Sequence, residues 1–149
     1  MTYPDKIIRG IPNKNNFIDE DGYPSSNLFY FEVRAEIPPR EDDCYEESIN
    51  WYDDESALHI ILQQEKEPGI KQFKAGAAIL IRAEVDRVRN NQIIKGLLAY
   101  ERKEIEGNKF HGNLLLKRSV PKSVMKKIAA NIALCVSEVI DENIIKEKK

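Results

Sequence analysis

The apolar positions of this chain change period several times, and each change marks an element. Leu28-Phe29-Tyr30-Phe31 is an aromatic run that passes into alternation, with Val33, Ala35 and Ile37 on one side and Glu32, Arg34 and Glu36 on the other. Strand side chains alternate between faces, so residues 28–37 predict a strand with one wet side. Pro38-Pro39 stops it, since neither residue has an N–H for a ladder. Ser48 to Tyr52 predicts a second strand. Asp53-Asp54-Glu55-Ser56 then offers N-cap and first-turn carboxylates to a helix through Ala57, Leu58, Ile61 and Leu62, closed by Pro68-Gly69.

Gln72-Phe73 and Gly76 to Ile81 read as strand material, and Ala83 to Val88 as a short helical turn. Gly96 to Ile105 and Phe110 to Lys117 are joined by Glu106-Gly107-Asn108-Lys109, the strongest hairpin signal in the chain. Beyond Pro121, apolar residues recur three or four apart at Val124, Ile128, Ile132, Cys135 or Val136, and Val139, which predicts a long helix covering a sheet. Residues 1–27 are rich in Pro, Asn, Asp, Gly and Ser, with Ile7 to Pro12 and Asn15 to Ile18 as isolated apolar anchors, and predict an irregular arm with one short strand. Hairpins with few long crossovers point to an α+β fold: a mainly antiparallel sheet of about five strands covered by two principal helices.

Length and composition set the outer bounds. The 149 residues match one ordinary domain, with a charged tail expected to fray at the C-terminus. With 42% hydrophobic and 32% charged residues, the chain is too apolar for disorder. Its first residues, Met1 to Lys6, are polar and are followed by only a short apolar run, so neither a secretory signal nor a membrane span is expected. Cys44 and Cys135 lie far apart, with Cys135 in a helical apolar pattern, and are expected as free thiols in the cytoplasm.

Candidate chemistry is sparse. The carboxylates of residues 41–47 and 53–55 are numerous enough for a hard cation, with Asp42, Asp43, Asp53 and Asp54 as candidate ligands, but they lack the alternating spacing and central Gly of an EF-hand. A solvated loop followed by helix capping is the simpler explanation of them. His111, beside Gly112 on the hairpin, is the candidate general acid or base, and His59 lies in the first helix. Each has a structural reading beside the catalytic one. Cys44 among carboxylates and Cys135 on a buried stripe are poor nucleophiles, because the reactive thiolate is disfavoured at both. No phosphate loop, nucleophile elbow, HExxH or zinc spacing occurs, so no cofactor is predicted.

Charge distribution says more. Residues 1–56 hold 14 Asp/Glu and 5 Lys/Arg, a net −9, whereas residues 57–149 hold 18 Lys/Arg and 11 Asp/Glu, a net +7. Lys109, Lys117, Arg118, Lys122, Lys126 and Lys127 fall in a stretch without any acid, and several stand at the predicted start of the last helix, where the dipole is already positive. The compensating charge would be the chain's own acidic segment, an acidic protein partner or a second copy, or a phosphate or nucleic acid. Trp51 and Tyr52, beside the acidic run, are candidate interface anchors, with core packing as the alternative. The sequence therefore reads as a non-enzymatic binding or assembly domain using complementary acidic and basic surfaces. The alternatives are a small metal-dependent hydrolase or phosphoryl-handling enzyme, and a phosphate- or nucleic-acid-binding module.

Overall fold

A computed structural model of the chain describes residues 3–31 and 43–140. Strand β1 (Lys6–Gly10) is followed by the single-turn helix α1 (Lys14–Phe17) and a 3-10 turn (Ser26–Phe29). Then come β2 (Cys44–Trp51), α2 (Glu55–Gln63), the small ribbon β3 (Glu65–Glu67) and β4 (Ile70–Lys71), and β5 (Ala77–Ile81). The chain continues through α3 (Arg82–Arg89), β6 (Leu98–Arg102), β7 (His111–Lys117), α4 (Lys122–Ala133) and β8 (Val136–Ile140). Six strands form one sheet in the order β6-β7-β2-β1-β5-β8, with every neighbouring pair antiparallel. The α+β class and the antiparallel sheet thus agree with the sequence reading.

The sheet is buried on two sides by different elements. Ile7, Ile49, Trp51, Ala78, Leu80, Leu114 and Leu116 face the larger core, which the 3-10 turn, α3 and α4 close with Leu28, Phe29, Val85, Met125, Ile128 and Ile132. On the other face Ile8, Ala77 and Ile79 meet Ala57, Leu58, Ile61 and Leu62 of α2. The alternation Ile7/Ile8 and Ala78/Ile79 is what a strand covered on both sides requires. Each large apolar side chain fully buried here contributes about 1.5–3 kcal/mol. Asp54 caps α2 as its sequence suggests, accepting from the Ser56 amide at 2.8 Å.

Several local expectations change. α2 ends at Gln63, and Pro68-Gly69 forms the turn between β3 and β4 instead of closing the helix, while Gln72-Phe73 lies between β4 and β5. The segment expected as an arm places β1 fourth among the six strands, because Ile7 and Ile8 are both taken into cores. Leu28 and Phe29 belong to a 3-10 turn rather than a strand, held by Leu28 N–H to Ser25 O (3.1 Å) and Tyr30 N–H to Asn27 O (3.4 Å); the alternating half of that predicted strand lies outside the described residues. An unbroken aromatic run carries no period, so one turn that buries both residues against α4 serves as well as a strand. β2 begins at Cys44, four residues before the predicted start, and carries Glu46 and Glu47 into the sheet.

The predicted last helix is also divided. α4 ends at Ala133, Leu134 caps it while 80% exposed, and Val136 to Ile140 become an edge strand paired with β5. Val136 and Val139 fit a helical stripe by spacing, but their branched side chains suit a strand and the edge of β5 offers a ladder. No helix among the described residues is long and apolar enough to cross a membrane. The predicted C-terminal tail lies outside them.

Candidate functional site

The acidic and basic segments do meet, because β2 and β7 are hydrogen-bonded neighbours with Cys44 opposite Lys117 and Asn50 opposite His111. At one end Arg118 donates its main-chain N–H to Asp43 O at 3.0 Å, with its Nε 3.8 Å from the Asp43 carboxylate. At the other end Arg102 grips Asp53 through two hydrogen bonds of 2.8 and 2.7 Å, and this guanidinium holds the Asp53 carboxyl below its ordinary range. Between them Lys103 stands 4.0 Å from Glu46. Of these three pairs only Asp43–Arg118 joins the ends of β2 and β7; Arg102 ends β6 and Lys103 follows it.

This pairing disperses the predicted sites. Lys109 stands at the far end of β7 from Lys117 and Arg118, separated by a strand on the order of 20 Å long. Lys122, Lys126 and Lys127 are exposed on α4, and no ion pair joins them to another described residue. Asp43 and Asp53 lie beyond opposite ends of β2 and cannot share an ion, Asp54 is engaged as a cap, and Asp42 lies outside the described residues. No group of three potential ligands for a metal occurs among the described residues. His111 donates from Nδ1 to Lys103 O at 2.8 Å, and His59 is exposed on α2. Trp51 is 0% exposed and has no surface to offer a partner, while Tyr52 is half-buried and donates to Glu55 at 2.8 Å. Cys44 and Cys135 are buried free thiols, and burial pushes the Cys135 thiol up to about 11.

The described residues instead converge on a recess of about 380 Å³ between α3 and the outer edge of β6. Arg82, Asp86 and Arg89 stand at i, i+4 and i+7 of α3 and so share one side of the helix. Arg82 reaches Asp86 at 2.7 Å and Arg89 reaches it at 3.3 Å, with all three side chains between 26% and 32% exposed. Tyr100 of β6 donates to the same carboxylate at 2.6 Å while its ring lies 4.0 Å beneath the Arg89 guanidinium. Burial, and then the Asp86 acceptor, raise the Tyr100 pKa, so its hydroxyl remains a donor throughout the neutral range.

The N-terminal residues complete the walls. Pro4 O accepts from Arg82 Nε at 2.8 Å, and Asp5 O from the Arg82 amide at 2.8 Å. The Tyr3 ring lies 5.4 Å from Tyr100 and 4.4 Å from Trp51. Ladder alternation turns the main-chain groups of Leu98 and Tyr100 outward. Arg89 Nε donates to Leu98 O at 3.1 Å and Tyr3 to Tyr100 O at 3.5 Å, which closes part of an otherwise exposed sheet edge.

Arg82 and Arg89 are set against Asp86 within the recess and Asp5 outside it, so the formal charges balance. Arg89 Nη2 has no hydrogen-bond partner among the described residues, and Arg82 Nη2 has only the fully exposed Asp5 carboxylate at 3.9 Å. These guanidinium groups can receive an anion. None of them was among the predicted site residues; the signal was the spacing of charges in Arg82-Ala83-Glu84-Val85-Asp86-Arg87-Val88-Arg89, which aligns two cations and one anion on a single stripe. Comparison with protein families, with curated proteins and with solved structures returned no match for this chain.

Proposed function

We propose that this chain is a non-enzymatic binding domain that receives an anionic group of its ligand in the recess between α3 and β6. The observation that carries the proposal is the convergence of Arg82 and Arg89 on one open recess, with Nε and Nη1 of each engaged and only the outer Nη2 of each left toward it, that of Arg82 facing the exposed Asp5 carboxylate at 3.9 Å. Arginine in such a setting loses less hydration than lysine would and presents its donors in a fixed fork. The exposed lysines of α4 lack that arrangement. A second reading, an acidic protein partner or a second copy docked on Lys122, Lys126 and Lys127, is favoured by their having no ion pair to another described residue. The two buried free thiols fit a reducing compartment, and the cytoplasm is the proposed setting.

Thermal unfolding at low ionic strength tests the first reading, since a ligand that binds only the native state raises the melting temperature by mass action. Acetate, citrate, phosphate and polyglutamate form a suitable panel. At least one should raise the melting temperature of the wild-type chain and leave an Arg82→Gln/Arg89→Gln chain unmoved. Equal shifts in both chains, or no shift with any anion, would refute it.

A further inference from the structure

Given the anion-binding reading above, we infer that the group received is a carboxylate on a small apolar or aromatic body, rather than a phosphate. Charge is the first reason. Two guanidiniums set against Asp86 and the exposed Asp5 leave no surplus positive charge, so a monoanion is accommodated more readily than a dianion, which would bring twice the negative charge against the Asp86 carboxylate.

Geometry is the second. The recess already binds one carboxylate, its own: Asp86 takes Arg82, Arg89 and Tyr100 on its two oxygens. Planar forks match planar carboxylates, and the unused Nη2 of Arg89 and the weakly engaged Nη2 of Arg82 extend the same donor set outward. Phosphate sites are commonly built from several main-chain amides at a helix N-terminus. Here the first amide of α3 is spent on Asp5 O, and no glycine lines the recess.

The walls supply the third reason. The Tyr3 and Tyr100 rings meet edge to face and both line the recess, so an apolar or aromatic body has surface to cover. Asn90 adds one amide at the rim for a polar substituent. Trp51, the sole tryptophan, touches both tyrosine rings at centroid distances of 4.4 and 5.3 Å and so reports on an occupant without touching it.

Titration of the full chain with benzoate, acetate, phosphate and phenyl phosphate, followed by Trp51 fluorescence and calorimetry, tests the assignment. Benzoate should bind about tenfold more tightly than acetate, a difference of about 1.4 kcal/mol, and both should bind more tightly than phosphate. Arg89→Gln should weaken benzoate about tenfold, and Arg89→Lys, which keeps the charge but loses the fork, should weaken it comparably. Asp86→Asn should raise phosphate affinity about tenfold by removing the internal negative charge. Phosphate or phenyl phosphate binding more tightly than benzoate to the wild-type chain would overturn the carboxylate assignment while leaving the anion site standing. Binding of none of the four would defeat both. Benzoate affinity unchanged in Arg89→Gln and Arg89→Lys chains that retain the wild-type far-UV spectrum would place the ligand elsewhere and overturn this inference.

Discussion

A side chain on Gly112 would collide with the Trp51 indole and with the Glu101 carbonyl, two groups joined by a 3.0 Å hydrogen bond. The glycine beside His111 therefore makes room for tryptophan, not for a substrate. Gly112→Ala should cost about 2–4 kcal/mol, from overpacking and loss of a buried hydrogen bond, and urea denaturation would measure it. A change below about 0.5 kcal/mol would show that the indole does not need that space. Asp53 gives a pH prediction. Its folded-state pKa is lowered, chiefly by hydrogen bonds from Arg102, below the ordinary 3.8, so the unfolded state binds the proton first as the solution is acidified. The Asp53–Arg102 pair therefore stabilises the fold above about pH 4 and loses that effect as pH falls through the folded value. Both side chains are about one-third exposed, which limits the contribution to about 1 kcal/mol or less. Asp53→Asn should be less stable than the wild-type chain at pH 7 and converge with it near pH 2; a gap that stays constant would contradict the linkage.

Among the elements, the hairpin of β6 and β7 is tied to α2 by buried amides. Asn108 donates to Asn50 Oδ1 at 2.8 Å, Asn50 donates to Ala57 O at 2.9 Å, and Phe110 N–H donates to Asn108 Oδ1 at 3.1 Å. Asn108→Ala would leave two buried groups without partners and should destabilise by about 2–4 kcal/mol, read from thermal or urea unfolding. A near-neutral result would mean that water replaces the amide. The hairpin itself was legible, because Gly107, with φ +79°, supplies the left-handed position that Glu106-Gly107 announces. α2 was legible from its acidic cap and its Ala57-Leu58-Ile61-Leu62 stripe. β8 was not: Val136 and Val139 are spaced for a helix as well as for a strand, and only the open edge of β5 decides between them. The Arg82–Asp86–Arg89 stripe could be read as one helix face, but nothing in it reveals that Tyr100, Pro4 and Tyr3 close the other sides. Those partners come from strands and loops far along the chain.

At the scale of the whole molecule, the contrast between an acidic N-terminal third and a basic remainder is met in part within the fold. Asp43 pairs with Arg118 at the end of β7, while Glu46 with Lys103 and Asp53 with Arg102 reach from the β2 region to the end of β6, and as surface pairs each contributes about 1 kcal/mol or less. They orient strands whose stability comes from the apolar cores on both faces. The arginines of α3 are set apart from those pairs by a recess of their own. On the function proposed above, this recess, rather than the lysine face of α4, receives the ligand's negative charge. Nitrogen–proton correlation spectra of the backbone and arginine Nε groups, recorded as benzoate is added, test it most directly. The largest shifts are expected at Arg82 and Arg89 Nε and at the amides of Ala99 and Tyr100; shifts centred on Lys122, Lys126 and Lys127 would place the charge on α4 instead.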